Sequence, residues 1–596
     1  MAQVETKLPH WDMTTVFPAL DSPEFDSAFA DLGERIVALR QGLDDRPLVS
    51  AGLDDGNVAR FDELVVDLNA ILERITLVQS YLYSFVTTDS QNDVAQTKNS
   101  ELSMRTVDLA KVQKRIVAWV GTIDADELIS KSGQAMAHAF AVRKMARDAK
   151  HQMAPELEDL TISLAPSARV AWGKLHGNVT SRVIVDFTKP DGSRELVPLA
   201  GMGRFAQDAD PAIREAAFRA TLAAYPDVEV PLAAALNSIK GWENELNTRR
   251  GWPDSIEPAL FNNNVDRATL DAMQQACMES FPDFHRYYLA KAKALGKDKM
   301  TWWDQGAPVG SADKKWSWDE CASFIVEQFG TYSERMANLA ARAFQERWVD
   351  AEPRRGKRGG AFCMGVRKDE SRILTNYNDN FTSVTTVAHE LGHAFHNVNL
   401  AEKTPIQRST PMALAETAST FCENIVLGAM LRDATGDERL AILNESLTGA
   451  GAIVVHIHSR FLFEKFVYES REQRELAPAE LNEAMSKAQR EVFGEALDPE
   501  ATHPYMWCVS PHYYSTAYYN WPYTFGLLFG LGLYRFYEQD AETFRANYDE
   551  LLSSTGTDDA AGLCARFGID VRTPDFWRSS LDVLRGQIDD FVTLVK

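Results

Sequence analysis

Long stretches with apolar residues at three- and four-residue spacing constrain the fold of this chain more than any other feature. They run through residues 25–43, 57–88 and 92–120, and a further one covers 133–151. This spacing places apolar side chains on one face of a helix, so it predicts amphipathic helices packed against each other. With 596 residues the chain is too long for one ordinary core, which indicates several domains or one large helical assembly with sub-lobes.

Two short segments break the helical pattern and predict small sheets. Residues 181–186 and 195–198 are rich in β-branched side chains and flank a Pro-Asp-Gly turn, a pattern typical of a β-hairpin. Residues 359–380 follow a basic, glycine-rich loop and have strand character in two parts. We place a domain boundary near the hairpin, between an N-terminal helical lobe at residues 1–200 and a larger domain at residues 201–596.

Composition limits the partners and the compartment. The formal net charge of −23 disfavours nucleic acid and anionic membrane surfaces, because both select for basic patches. The six cysteines form no CxxC pair, which disfavours a disulfide framework and favours a reducing compartment. We find no leader pattern at the start and no stretch that approaches the roughly 20 apolar residues of a membrane helix. These features predict a cytoplasmic protein that does not bind membranes.

The segment 389–393, HELGH, has the most specific chemistry in the sequence. Residues 382–399 contain no proline and have an apolar stripe, which predicts a helix. On that helix His389 and His393 lie one turn apart on one face, where both can bind one zinc ion at about 2.0–2.1 Å. Glu390 lies about 100° around the helix, beside the metal, where a general base for zinc-bound water belongs.

The residues leave the third zinc ligand open. One subclass of zinc peptidases requires glycine three residues after the second histidine and another histidine three residues later. Here those positions hold His396 and Asn399, so that subclass is excluded, although His396 can bind a metal in principle. The apolar segment 412–427 predicts the next helix, with Glu416 and Glu423 on one face. A buried carboxylate requires a charge partner, so either glutamate can be the ligand and the other a supporting residue.

Motifs spread over nearly the whole chain resemble those of oligoendopeptidase F, within the thimet-oligopeptidase superfamily of zinc peptidases. The similar segments are 373–378 (ILTNYN), 387–396 (VAHELGHAFH), 415–423 (AETASTFCE), 511–514 (PHYY) and 518–526 (YYNWPYTFG). The resemblance implies that Glu416 is the third ligand of a single zinc ion and that Glu423 supports it. It also implies that His512, Tyr519 and Tyr523 stabilise the oxyanion of the tetrahedral intermediate, with Tyr518 as the alternative to Tyr519.

The same resemblance implies the overall architecture. We expect a mostly α fold, with a large multi-helix, two-lobed body, a deep central channel and a small β-sheet beside the active site. Residues 201–596 would form the catalytic domain. The strand region would lie beside the cleft, where its exposed edge, including Gly360 and Tyr377, would bind the substrate backbone by strand addition. The channel would admit short unfolded peptides and exclude folded proteins.

The sequence therefore predicts a zinc-dependent oligoendopeptidase that cleaves internal bonds of short peptides, as a monomer or homodimer. One alternative is a zinc carboxypeptidase or dipeptidyl carboxypeptidase on a similar scaffold. That activity needs a cationic group for the terminal carboxylate of the substrate, which the sequence does not identify. Another alternative is a non-catalytic peptide-binding protein with a retained structural zinc. Such sites fill all four positions with protein ligands, whereas only three good ligands are found here.

Overall fold

The computed structural model describes residues 7–48, 52–312 and 314–595, and helices account for 68% of the chain. The N-terminal helices are α1 (Pro23–Asp45), α2 (Asp55–Thr88), α3 (Asp93–Val120), α4 (Ala125–Lys131), α5 (Gly133–Ala137), α6 (Ala139–Ala149), α7 (Pro155–Leu164), α8 (Arg169–Thr180), α9 (Pro211–Ala224), α10 (Glu229–Arg249), α11 (Glu257–Asn262) and α12 (Arg267–Ala294). The later helices are α13 (Trp318–Tyr332), α14 (Glu334–Gln345), α15 (Phe381–Asn399), α16 (Met412–Ala415), α17 (Thr417–Asp433), α18 (Gly436–Gly451), α19 (Ile457–Arg471), α20 (Pro478–Phe493), α21 (Met506–Val509), α22 (Trp521–Gln539), α23 (Ala541–Ser553), α24 (Ala560–Ala565) and α25 (Pro574–Leu594). The predicted mostly α fold is confirmed.

The first three long helices begin where the sequence provides a cap. The side chains of Ser22, Asp54 and Asn92 each accept the backbone N–H three residues later, which satisfies one of the free donors of the first turn. The apolar faces of these helices then pack into a core of their own, which lies within residues 13–142. The three predicted helical stretches are therefore confirmed, with small differences at their ends.

Within the described residues, five strands form two small sheets. Strands β1 (Ile184–Thr188) and β2 (Arg194–Pro198) are the predicted hairpin, with Val185 opposite Val197. Strands β3 (Val349–Asp350), β4 (Phe362–Arg367) and β5 (Glu370–Leu374) form a second sheet in the order β3-β5-β4. In it β5 is parallel to β3 and antiparallel to β4, so β4 lies at an edge of the sheet. The central strand β5 is the last strand before α15.

The largest core lies within residues 256–591 and contains the buried face of α15. A smaller core joins the hairpin to α9, and so includes residues on both sides of position 200. The division of the chain at that position therefore stays a prediction. A cavity of about 920 Å³ lies between α2, α3 and α6 on one side and residues 365–367 of β4 on the other.

One helical stretch that sequence analysis did not single out is apolar enough to cross a membrane, by length and composition alone. It spans Gly436–Arg471, from α18 through a π-helical turn at Ala452–His456 into α19, with a mean hydropathy of 1.5 in its most apolar window. Half of that window is buried inside the protein. A core helix of a large protein passes the same test, so this feature is weak evidence for a membrane span.

The predicted helix over residues 412–427 differs from the structure. It is divided at Glu416, whose backbone angles of φ −83° and ψ 3° interrupt the helix between α16 and α17. Helix α22 packs directly against this break, since a β-carbon on Gly526 would lie 2.6 Å from the Cβ atom of Glu416. The division depends on a contact with a distant part of the chain, which helical periodicity in residues 412–427 does not report.

Candidate metal centre

The close approach of α15 and α17 creates the centre. A β-carbon on Gly392 would lie 2.6 Å from both the carbonyl oxygen of Ala418 and the Cα atom of Ser419. Only glycine fits at this crossing without moving one helix backbone. The approach brings Glu416, at the start of α17, opposite the two histidines of α15.

His389, His393 and Glu416 form a group that can hold a metal ion, with one ligand atom of each within 4.8 Å of the others. The Oε2 atom of Glu416 lies 3.2 Å from Nε2 of His389 and 3.3 Å from Nε2 of His393. Ligand atoms bound tetrahedrally to zinc at 2.0–2.1 Å are about 3.3 Å apart, so these spacings fit a zinc ion. Two imidazoles and a carboxylate are also a donor set that zinc accepts.

Charge interactions keep Glu416 ionised. Burial opposes ionisation, but the hydrogen bonds to His389 and His393 hold the pKa of the Glu416 carboxyl far below its ordinary value. An ionised carboxylate is the form that binds a metal cation.

Glu423 does not belong to this group of ligand atoms. Its Oε2 atom lies 3.0 Å from Nδ1 of His389, on the opposite side of the ring from Glu416. A carboxylate in this position accepts the Nδ1 proton, which leaves Nε2 free to bind a metal. The structure thus places the two glutamates differently, with Glu416 in the group that could hold a metal ion and Glu423 behind His389.

Glu390 follows His389 directly and is 5% exposed. Its Oε2 atom is buried and has no hydrogen-bond partner among the residues that the structure describes. Burial raises the pKa of this carboxyl above its ordinary value. A buried carboxylate oxygen without a partner, one residue from a metal-binding histidine, is suited to take a proton from a water at the centre.

His396, the further histidine on α15, turns away from the centre. Its Nε2 atom lies 2.9 Å from Oγ1 of Thr555 and 3.2 Å from the carbonyl oxygen of Leu552. Burial lowers the pKa of His396 to about 4, so the ring is neutral at neutral pH. It is a packed residue with satisfied hydrogen bonds.

The segment before α22 contains His512, which hydrogen-bonds to a residue that sequence analysis missed. The Nδ1 atom of His512 lies 2.9 Å from Oδ1 of Asn520, and this contact fixes the orientation of the ring. Burial lowers the pKa of His512, and the nearby charge of Arg460 lowers it further. Asn520 carries no sequence signal beyond its place inside the YYNWPYTFG motif.

Tyr518 points in a different direction from Tyr519 and Tyr523. The hydroxyl of Tyr523 donates to that of Tyr519 at 3.2 Å, and the Tyr519 ring centre lies 4.3 Å from that of His512. Tyr518 instead is buried, with its hydroxyl 2.9 Å from Oγ of Ser255. Tyr519 rather than Tyr518 therefore lies with His512 and Tyr523.

Tyr523 connects this segment to the metal ligands. A cavity of about 380 Å³ is lined by His389, Glu416, Glu423 and Tyr523, with Glu445 of α18 on another wall. The phenol of Tyr523 is partly buried, which raises its pKa above the ordinary value. It remains protonated at neutral pH, and rotation of its hydroxyl away from Tyr519 would let it donate a hydrogen bond into this cavity.

The two residues predicted to bind substrate differ in accessibility. Gly360 is exposed at the end of the loop before β4, has φ +80°, and its carbonyl accepts the side-chain amide of Asn376. Tyr377 is 2% exposed, and its hydroxyl donates to the carbonyl of Trp316 at 2.8 Å. The Tyr377 side chain is thus part of the core. A role of Tyr377 in substrate binding stays a prediction, and it concerns the backbone alone.

The HELGH helix faces the carboxylate of Glu416, the third candidate ligand, within a mostly helical body. These features define a class of protein, the helical peptidases with an HExxH motif. The sequence profile of peptidase family M3 matches residues 204–583, well over half of the chain. The protein therefore belongs to peptidase family M3.

Relatives support the resemblance to oligoendopeptidase F, which is confirmed. An oligoendopeptidase F homolog of Lactococcus lactis subsp. lactis is 25% identical over 64% of this chain and 64% of its own length. The group B oligopeptidase PepB of Streptococcus agalactiae is 23% identical over 98% of this chain and 97% of its own. The match thus spans about two thirds of the first relative and nearly all of the second.

A solved structure shows the same fold. The crystal structure of oligoendopeptidase-F from Enterococcus faecium superposes with a TM-score of 0.73 at 18% identity, over 96% of this chain and 99% of that chain. At this identity the likeness shows the arrangement of helices and sheets rather than the activity.

Proposed function

We propose that this protein is a cytoplasmic, zinc-dependent oligoendopeptidase that hydrolyses internal bonds of short unfolded peptides. The observation that carries the proposal is the spacing of 3.2 and 3.3 Å between Oε2 of Glu416 and the Nε2 atoms of the two histidines. Beside them lies the buried Oε2 atom of Glu390, which has no hydrogen-bond partner among the described residues. His389, His393 and Glu416 would hold one zinc ion, and three ligands leave a position open for water and substrate. When bound, zinc supplies a Lewis acid that polarises the scissile carbonyl and acidifies the attacking water.

The other residues have roles that follow from their contacts. Glu390 takes the proton of the attacking water on Oε2 and passes it to the leaving amine. Glu423 holds the proton on Nδ1 of His389 and so fixes the ring. The Tyr523 hydroxyl turns its one proton from Tyr519 to the oxyanion, with Tyr519 and His512 beside it. Such a donor typically lowers the barrier by about 3–4 kcal/mol.

The substrate class is supported by the edge strand and the relatives. Strand β4 lies at the edge of its sheet, where an extended peptide can add as a further strand. The names of the relatives specify oligopeptidases, which act on peptides rather than on folded proteins. An oligomeric state of monomer or homodimer belongs to the proposal as well.

The test is hydrolysis of a mixed library of short peptides by the purified full-length protein, with products identified by mass spectrometry. We expect internal cleavage that a chelator abolishes and added zinc restores, and no cleavage of a folded protein. Cleavage that persists in chelator after the metal content has fallen to zero would contradict zinc dependence.

One observation favours a second candidate, a peptidase that recognises the C-terminal carboxylate of its substrate. Arg460 of α19 is close enough to His512 to lower its pKa, yet it forms no ion pair or hydrogen bond with the described residues. An unpaired guanidinium is suited to a carboxylate. Peptides with free and with amidated C-termini distinguish these two candidate functions. An endopeptidase cuts both kinds of peptide at internal bonds and at similar rates.

A further inference from the structure

Tyr518 has an unusual backbone conformation for a tyrosine. Its φ angle of +49° lies in the left-handed region, where a side chain with a β-carbon is disfavoured. In the described chain only Asn264 and Arg347 share a positive φ among residues other than glycine. Such a conformation persists only when surrounding contacts hold it. The contacts of Tyr518 therefore indicate which part of the protein depends on this conformation.

A single carboxylate holds the Tyr518 backbone. The Oε1 atom of Glu464 on α19 accepts the N–H of Tyr518 at 3.0 Å and the Nζ of Lys240 on α10 at 2.8 Å. The side chains of Glu464 and Lys240 are 2% and 1% exposed, so this ion pair lies fully inside the protein. The Tyr518 ring also stacks on Tyr468, one turn further along α19, with ring centres 5.1 Å apart.

The other end of the same segment is held by an extension of this network. The Tyr468 hydroxyl accepts from Lys240 at 3.1 Å and donates to Glu243. Arg169 of α8 donates to Glu243 at 2.9 Å and also to the carbonyl of Ser515. Charged groups from three helices thus fix the backbone at both ends of residues 515–518.

Stability alone does not account for this arrangement. A buried ion pair adds little net stability, because removing two charges from water costs about as much as their attraction returns. Fully hydrogen-bonded buried networks do specify one conformation. The residues that follow Tyr518 are those whose side chains contact the proposed oxyanion donors: Tyr519 contacts Tyr523, and Asn520 contacts His512.

We infer that Glu464, held by Lys240, is a positioning residue, whose carboxylate keeps Tyr518 left-handed and so presents Tyr519 to Tyr523 and Asn520 to His512. Among the described residues, Glu464 hydrogen-bonds to Lys240 and to the Tyr518 N–H rather than to the proposed metal ligands, so it acts through the backbone of Tyr518. The inference rests on the proposed peptidase function, because positioning has a catalytic effect only if these donors act in hydrolysis.

Two double variants separate the effect of the hydrogen-bond acceptor for Tyr518 from the effect of the buried charges. Lys240→Met with Glu464→Gln removes both charges but keeps an oxygen that accepts the Tyr518 N–H. Lys240→Met with Glu464→Leu removes both charges and the acceptor. Neither leaves an unpaired buried charge, which a single substitution would do. The exposed Glu469 on the same helix provides the control Glu469→Gln, which should leave every readout unchanged.

We expect kcat for a quenched fluorescent peptide to be roughly ten- to a hundredfold lower in the Leu variant than in the Gln variant. KM, zinc content and melting temperature should be similar in the two proteins. Amide hydrogen exchange of residues 515–523, measured on the metal-free proteins, should be faster in the Leu variant, because the Tyr518 N–H has lost its acceptor.

Equal exchange of residues 515–523 in the two double variants would overturn the inference, and so would equal kcat. Exchange does not depend on turnover, so it decides the positioning role even if the wild-type protein cleaves no peptide. A wild-type protein without hydrolysis would instead contradict the proposed function.

Discussion

The α15–α17 metal centre and the segment 511–523 contribute to the same proposed reaction, yet the chain builds them differently. In the candidate metal centre, two proposed ligands lie one turn apart on a single helix, and Gly392 lets the third approach. In segment 511–523, the conformation of Tyr518 depends on Lys240 and Glu464, which are distant in sequence. Local helical geometry therefore determines most of the first region, and tertiary contacts determine the second.

The largest effect on activity is expected from the loss of a proposed zinc ligand. His393→Ala removes one of three ligands, so bound zinc should fall from one ion per chain to none and hydrolysis to background. Metal analysis by mass spectrometry, together with the peptide assay, checks this. His396→Gln is the matched control, because His396 hydrogen-bonds to Thr555 rather than facing the centre. Equal loss of zinc in both variants would show that the assignment of ligands is wrong.

A smaller effect is expected in segment 511–523. Tyr523→Phe removes one hydroxyl from the cavity and should lower kcat by about a hundred- to a thousandfold with little change in KM. Tyr518→Phe removes a hydroxyl that contacts Ser255 and should change kcat much less. Steady-state kinetics on one fluorescent peptide compares the two. A reversed order would mean that Tyr518, and not Tyr523, faces the substrate.

These two regions also show how far the sequence alone leads. Helical periodicity predicted α15 and the common face of His389 and His393, because both follow from 3.6 residues per turn. It did not predict the break at Glu416, which accompanies the packing of Gly526 against it. Nor did it predict the left-handed Tyr518, since nothing nearby in sequence indicates that Glu464 accepts its N–H.

Loss of Glu423, which hydrogen-bonds to the proposed ligand His389, should weaken zinc binding less than loss of a ligand. Glu423→Ala removes the acceptor on Nδ1 of His389 and should weaken zinc affinity by about ten- to a hundredfold. The zinc affinity of Glu423→Gln should fall between those of the wild-type protein and Glu423→Ala, because the amide oxygen of glutamine still accepts the Nδ1 proton. Titration with a competing chelator measures both. Affinity equal to that of the wild-type protein in Glu423→Ala would exclude a supporting role.

The smallest expected effect concerns stability rather than chemistry. Gly392→Ala places a methyl group against the α17 backbone, which should destabilise the fold by about 1–3 kcal/mol. Gly586 is exposed on α25, and a β-carbon there would meet nothing within 4 Å beyond the neighbouring backbone of its own helix. Gly586→Ala should therefore stabilise the fold by about 0.5–1 kcal/mol. Urea denaturation of both variants measures the difference. A stabilised Gly392→Ala would mean that α15 and α17 do not approach this closely.

The central claim is that His389, His393 and Glu416 hold zinc while Glu390 moves the proton, and Glu390→Gln separates these roles. The substitution keeps the size of the side chain but removes its basicity. We expect zinc content equal to that of the wild-type protein, with kcat lower by about a hundred- to ten-thousandfold. Wild-type turnover in the zinc-loaded variant would contradict the account.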